Sequence, residues 1–346
     1  MKIIKKFIGF LPITLILTSL YSCNTNTKVI DKEIRIGVTL YKQDDTFISN
    51  IAKNIEELGK NKESSENSKI TIDFEDAKGS PINQGNQVDK FINQGYDVIC
   101  VNLVDRTAAS TIIDKCKGAN IPIIFFNREL VEEDMNRWDK IYYVGAKARQ
   151  SGEMQGEIIV DEYNKNPLDV DKNGDGKIQY VILEGEPGHQ DTTLRTEYCT
   201  KVIMENGIEL EKLASDNANW QRGQGSTKMS QWINEFGNEI EVVFSNNDEM
   251  ALGAIHALNS MNILTNKPLI VGIDGIKDAL EAVKNGEMTG TIISDSLAQA
   301  NAIFNIAYIL STGGDVNSID GLDENRYIKT SHTKITIDNV DLYLEK

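Results

Sequence analysis

From Ile34 almost to its end, the chain alternates short apolar runs with stretches of helical period. The runs are "IRIGVTL", "KITIDFED", "DVICVNL", "IPIIFF", "IYYVG", "IQYVILEG", "IEVVFS", "PLIVGID" and "GTIIS". Amphipathic segments fall between them, near residues 48–58, 83–91, 108–116, 150–163 and 192–205. Strands that are apolar on both sides of the pleat need cover on both faces, which parallel sheets with crossover helices provide. A second series begins at "IPIIFF", and the length suffices for two domains of ordinary size. The expected fold is α/β, with two doubly wound parallel-sheet lobes.

Residues 1–22 stand outside that pattern. Lys2, Lys5 and Lys6 precede an apolar run from Phe7 to Leu20, which has the layout of a secretory signal and is short for a membrane span. The run ends in "LYSC", which resembles a bacterial lipobox and would make Cys23 the lipidated first residue of the mature chain. Residues 23–33 then read as a polar tether. Of the other cysteines, Cys100, Cys116 and Cys199, the odd count rules out full pairing, and their apolar settings suggest buried thiols. The formal charge of −16 becomes more negative once the leader lysines are removed. Such a chain is a poor partner for nucleic acid or anionic lipid.

In open α/β sheets, ligands gather beyond the carboxyl ends of the strands. Those ends here carry Asp45, Phe47, Asn102, His189, Asp191, Arg195, Asn247 and Asp274, and Trp220 adds an aromatic plane. Acids, amides and an arginine suit the hydroxyls of a neutral sugar, while flat rings suit its C–H faces. Asp191 and Arg195 are four residues apart, so on one helix they can pair toward the same ligand. Each residue alone has a plainer reading: Asp191 as a helix cap, Trp220 as core, the Asp–Arg pair as a solvated face. Their joint placement at strand ends favours a site.

A second feature is "DKNGDGKIQ", where Asp171, Asn173 and Asp175 alternate before Gly176, the opening of an EF-hand calcium loop. Gln179 holds the ninth place, but the twelfth is Ile182, so the closing glutamate of such a loop is absent. A register starting at Asp169 would put Gly176 at the eighth place, where an apolar residue is preferred; the Asp171 register puts Ile178 there.

With "RIGVTLYKQDDTF", "VNLVD", "IPIIFFN", "YYVG", "GDGKIQYVILEGEPGHQD", "IEVVFSNNDEMALGAI", "VGIDGIKDAL" and "GTIISD", the chain from about Ile34 onward resembles the galactose/glucose-binding branch of the type I periplasmic binding proteins. The resemblance implies D-galactose or D-glucose held between Phe47 of one lobe and Trp220 of the other. Asp45 and Asn102 would bond hydroxyls from the first lobe, and His189, Asp191, Arg195, Asn247 and Asp274 from the second. In the family, the residue matching Asp45 meets the hydroxyl that distinguishes the two epimers and accepts both. The family's asparagine in "LND" is Ser294 here, a shorter side chain that reaches a ring hydroxyl only through water.

For the loop, the resemblance implies a structural calcium ion. Asp171, Asn173, Asp175 and Gln179 would offer side-chain oxygens, Lys177 its main-chain carbonyl, and Glu241 both carboxylate oxygens. It further implies a monomer held outside the cytoplasm by its lipid, serving the membrane permease of an ABC transporter or a chemoreceptor. Lobes are expected at 34–121 with 294–329 and at 122–293 with 330–346. They would be joined by a three-segment hinge near Ile121–Pro122, Ile293–Ser294 and Lys329–Thr330.

An enzyme is the rival of another class, with Asp45, Asp191 and Asp274 posing as glycosidase carboxylates. The sequence carries no nucleophile elbow, phosphate loop or dinucleotide fingerprint. A transcription regulator of this fold class would begin with a helix-turn-helix where this chain has its leader. The alternative within the binding class is a sensor that serves a membrane receptor without transport.

Overall fold

The computed structural model describes residues 33–66, 68–262 and 266–344, so the signal, Cys23 and the tether up to residue 32 lie outside the described residues. Its first six strands are β1 (Ile34–Leu40), β2 (Ile70–Asp76), β3 (Val98–Val101), β4 (Ile123–Phe126), β5 (Ile141–Ala146) and β6 (Lys177–Glu184). The rest are β7 (Glu209–Asn217), β8 (Val242–Ser245), β9 (Leu269–Asp274), β10 (Gly290–Ser294), β11 (Tyr327–Thr330) and β12 (His332–Thr336). They form two six-stranded sheets, ordered β11-β5-β4-β3-β1-β2 and β12-β10-β9-β8-β6-β7. Every pairing is parallel except β10 with β12. This is the doubly wound α/β architecture in two lobes that the alternation predicts.

The continuous apolar runs have a direct structural cause. Along β3, Val98 and Cys100 enter one core of the first lobe, while Ile99 and Val101 enter the core on the opposite face. In the second lobe, Val181 and Leu183 of β6 face one core, and Ile178, Tyr180 and Ile182 face the other. Successive strand residues point to opposite faces, so a sheet covered twice needs apolar residues at every position. Each fully buried aliphatic side chain contributes about 1.5–3 kcal/mol. Helix ends follow local chemistry: the helix Pro81–Asn93 starts with Pro at its first turn, and the Ser80 hydroxyl accepts from Asn83 N at 3.3 Å. Cys100, Cys116 and Cys199 are buried free thiols.

The lobe boundary differs from the expected one. The first crossing does not fall at Ile121–Pro122, because β4 and β5 both belong to the first sheet; Ile99 pairs with Ile123, and Ile123 with Ile141. The chain changes lobes after Ala146, where the helix Ala148–Lys165 sends Ile158 and Ile159 into a second-lobe core. Residues 122–146 therefore sit with the first lobe. The other changes fall between β10 and the helix Ser296–Thr312, whose Ala300, Ile303 and Phe304 enter a first-lobe core, and at Ser331 between β11 and β12. Among the described residues no helix is long and apolar enough to cross a membrane.

Candidate functional site

The carboxyl ends of β1, β4, β6, β8 and β9 converge between the lobes on a cavity with about 370 Å3 of empty space. Phe47, Asp45, Asn127 and Arg128 line it from the first lobe, and His189, Asp191, Arg195, Trp220, Asn247 and Asp274 from the second. Tyr41 and Ile48 complete the first-lobe wall. Eight of the ten sugar-contact residues expected from the sequence are thus brought together. Asn102 and Ser294 are not among the lining residues. Asn102 is buried behind the wall, donating to Phe126 O at 3.3 Å and to Asn127 Oδ1 at 3.2 Å, while its own Oδ1 accepts from Tyr41 N.

Backbone geometry at the cavity is unusual. Asn127, Trp220 and Asp274 have φ of 63°, 64° and 126°. Such conformations cost of order 1–3 kcal/mol each and persist where the surroundings hold them. The holding contacts are visible. Asn247 caps its helix by accepting from Met250 N at 3.0 Å and donates through Nδ2 to Trp220 O at 3.3 Å. Asp248 accepts from Gly275 N at 2.7 Å, Ile276 N at 3.0 Å and Thr291 Oγ1 at 2.6 Å, so one carboxylate ties β8, β9 and β10 together. Burial lifts that carboxyl to about 6, against the pull of these hydrogen bonds.

Charge in the cavity is arranged around Arg195, which is 5% exposed. Its Nη2 donates to Asp191 Oδ2 at 3.0 Å, its Nη1 donates to Asn246 O at 2.8 Å, and Asp274 Oδ1 lies 4.0 Å from the same Nη1. Burial raises the carboxyls of Asp191 and Asp274, that of Asp274 well above the usual range; Arg195 opposes both shifts. Asp45 is raised by burial as well, although its Oδ1 accepts from Ile48 N at 2.9 Å and its Oδ2 from the Tyr41 hydroxyl at 2.5 Å. His189 Nδ1 accepts from Asp191 N at 3.1 Å, which leaves Nε2 to carry the proton. Burial first, then Arg128 and Arg195, pushes this imidazole well below its usual value and keeps it neutral. The site therefore offers acids poised to accept, two arginines, one neutral imidazole and two aromatic rings.

Behind the second-lobe wall, Ser294 accepts from Gln299 Nε2 at 3.2 Å, and β10 pairs Ser294 with His332. Gln299 Oε1, His332 Nε2 and Arg195 Nε are buried without a hydrogen-bond partner. Unanswered polar atoms of this kind are groups that an ordered water or a ligand oxygen would satisfy.

The lobes also touch directly. Glu186 of the second lobe pairs with Lys42 at 3.2 Å and with Arg128, and Thr46 donates to Glu249 at 2.8 Å. Tyr41, Asn127 and Arg128 were not singled out from the sequence. The same strand-end rule reaches Asn127 and Arg128, which directly follow the apolar "IIFF" of β4.

The loop at 171–179 has a shape set by its own carboxylates. Asp171 Oδ1 accepts from Gly174 N at 2.8 Å and Asp175 N at 3.2 Å, its Oδ2 accepts from Gly176 N at 2.9 Å, and both glycines have positive φ. Glu241, 1% exposed, accepts from Lys172 N at 2.6 Å and Gln179 N at 2.9 Å, so it meets the loop despite its distance in sequence. The Gln179 amide lies between Asn173 at 3.0 Å and Asp175 at 2.8 Å. Among the described residues no three His, Cys, Asp or Glu side chains form a metal cluster. Asp171, Asp175 and Glu241 thus do not converge as a carboxylate trio here, although carboxylates, amides and a main-chain oxygen are the hard ligands that calcium takes.

Residues 36–315 match the periplasmic binding protein domain family, and the chain belongs to it. It is 35% identical to the D-galactose/methyl-galactoside binding periplasmic protein MglB of Haemophilus influenzae, over 90% of this chain and 92% of that one. It is also 31% identical to a xylitol-binding protein of Mycolicibacterium smegmatis, covering 94% of this chain and 81% of the relative. Among solved structures, an ABC transporter solute binding protein from Bacillus halodurans with bound myo-inositol superposes with a TM-score of 0.75 at 30% identity, covering 90% of this chain and 97% of its own.

Proposed function

We propose that this protein is an extracytoplasmic solute-binding protein that captures a neutral hexopyranose, D-galactose or D-glucose, between its lobes and presents it to an ABC permease. The observation that carries this reading is the cavity between the lobes, where Phe47 and Trp220 supply ring faces and Asp45, Asp191, Arg195, Asn247 and Asp274 supply hydrogen-bonding groups. Support comes from the galactose-binding relative at 35% identity. The sugar ring stacks between the aromatics; the buried acids accept from its hydroxyls, and Arg195 with His189 Nε2 donates to its oxygens. Contacts from both lobes exist only when the cleft is shut, so sugar favours the closed state by that difference. Closure is the form a permease or chemoreceptor recognises.

Two further features belong to the same reading. Asp171, Asn173, Asp175, Gln179, the Lys177 carbonyl and Glu241 would hold a calcium ion that joins the start of β6 to the strand leading into Asn247, a structural role. Cys23 would carry the lipid that keeps the protein at the membrane. Calorimetric titration with galactose, glucose, ribose and xylitol tests the main reading. Micromolar or tighter binding of a hexose and weak binding of ribose and xylitol are expected. A preference for xylitol or ribose, or no heat with either hexose, would reject it.

A further inference from the structure

The three places where the chain changes lobes meet at one histidine. His332 opens β12 directly after Ser331, and it is 6% exposed. Its main-chain N–H donates at 3.1 Å to Oε1 of Gln150, in the first turn of the helix Ala148–Lys165 that follows the first crossing. β10 pairs Ser294 with His332, and directly opposed residues of an antiparallel pair send their side chains to the same face. Ser294 ends β10 at the second crossing, and it accepts from Gln299 of the helix Ser296–Thr312, which packs in the first lobe. His332 is thus tied to all three connections, so a change in the angle between the lobes alters its surroundings.

The partners of the ring define its protonation. Gln150 Oε1 can only accept, and the main-chain N–H of His332 fixes that orientation of the amide. Ring Nδ1 lies 3.4 Å from the same oxygen, so Nδ1 carries the hydrogen and Nε2 presents a bare lone pair. Nε2 is buried without a partner; Gln299 Oε1 is unpartnered too, so the two atoms do not answer each other in this arrangement. The charges that act on the ring are those of Arg195 and Lys147, both positive, and Lys147 also donates to the Ser331 hydroxyl at 3.3 Å. The acids of the adjoining cavity, Asp191 and Asp274, are engaged by Arg195 at 3.0 Å and 4.0 Å. Burial first, then the two cations, pushes the imidazole down to about 3. We propose that His332 is a proton-sensitive pin in the hinge: the lobes close on sugar with its ring neutral, and protonation of Nε2 favours the open form, so acid releases the ligand. His332 does not line the sugar cavity and acts as a positioning residue for closure. The inference rests on the hexose reading and adds a condition that reverses capture. Its sign follows from linkage. Where opening gives Nε2 access to water, the open form takes up a proton as pH falls through the ordinary value of 6.5, and closure must expel it.

Galactose titrations at about pH 7.5 and about pH 5.5 on the unaltered protein, His332→Gln and Gln150→Glu test it, with the histidine ring signals followed by NMR with and without sugar. An open form in which the ring titrates at its ordinary value gives about tenfold weaker galactose binding at the lower pH. His332→Gln keeps a neutral side chain at the hinge and should hold galactose affinity within about twofold over the same range. His189, Asp191 and Asp274 remain in that variant, so an undiminished acid loss belongs to them and overturns the role of His332. Gln150→Glu keeps an acceptor for the main-chain N–H and sets a carboxylate against Nδ1, which should shrink the loss to about threefold or less. In the NMR titration, the His332 ring should take up its proton near the ordinary value without sugar and stay neutral down to about pH 5.5 with galactose. That measurement needs only the unaltered protein, so it decides the matter even where a substituted chain does not fold. Identical titration of this ring with and without galactose overturns the proposal, as does equal galactose affinity at both pH values. Failure to bind galactose and glucose at the higher pH overturns the hexose reading instead.

Discussion

Trp220 lies across Gly185 so closely that a Cβ on the glycine would come within 2.0 Å of the indole ring. The glycine opens the loop that follows β6, and the ring it admits is held at its main chain by Asn247. Gly185→Ala therefore displaces the ring and should weaken hexose binding about tenfold or more, at a cost to stability of about 1–3 kcal/mol. Trp220→Ala should remove the sugar-dependent fluorescence change along with most of the affinity. Titrating both variants by calorimetry and fluorescence checks this, and unaltered galactose binding by Trp220→Ala would refute the stacking role.

Asp274 couples binding to instability. Its carboxyl is raised far above the ordinary value of 3.8 by burial, with Asp248, Asp45 and Asp191 adding to the shift. At low pH the group is protonated in both the folded and the unfolded chain. As pH rises past its ordinary value, the unfolded chain releases the proton first, so the folded form loses stability until pH exceeds the folded value. Asp274→Asn removes that deficit. Its melting temperature should match the parent near pH 3 and exceed it by a few degrees at neutral pH, while galactose affinity falls about 10–100-fold. A variant less stable than the parent at neutral pH would contradict this account.

Calcium, if bound at 171–179, bridges Gln179 at the start of β6 to Glu241 before β8. Chelation should lower the melting temperature by several degrees without unfolding the protein at room temperature, and calcium should restore it. Glu241→Gln should melt near the chelated parent and ignore the chelator. Identical melting with calcium and with chelator would dismiss the metal.

Ser294 is flanked by polar atoms that lack partners, Gln299 Oε1 and His332 Nε2. An asparagine is longer and brings two donors and an acceptor. Ser294→Asn should tighten galactose binding by about tenfold, the effect of one added buried hydrogen bond of about 1.4 kcal/mol. Unchanged affinity would show that position 294 does not reach the sugar even when lengthened.

Much of this was legible in the sequence because each of the two sheets has cores on both faces. Val98 to Val101 read as strand for the same reason that they pack as one, since alternate residues enter different cores. The lobe assignment of "IPIIFF" and "IYYVG" was not legible. An apolar run records that a strand is covered, whereas its sheet is fixed by partners far along the chain, such as Ile99 for Ile123. Strand-end residues with side chains suited to a sugar stood out, and His189, Asp191, Arg195 and Asp274 do line the cavity. Asn102 follows its strand in the same way, yet it turns to Asn127 and Phe126 behind the wall, a choice made by neighbours that only the folded chain brings together.

Ser331 is the one residue between β11, at the edge of the first sheet, and β12, at the edge of the second. A connector that short can twist but cannot stretch, so at this edge it resists sliding of one lobe past the other and permits a change of angle. On the proposed function, occupancy would then register as the angle between the lobes. A membrane partner spanning both rims would sense that angle without touching the sugar.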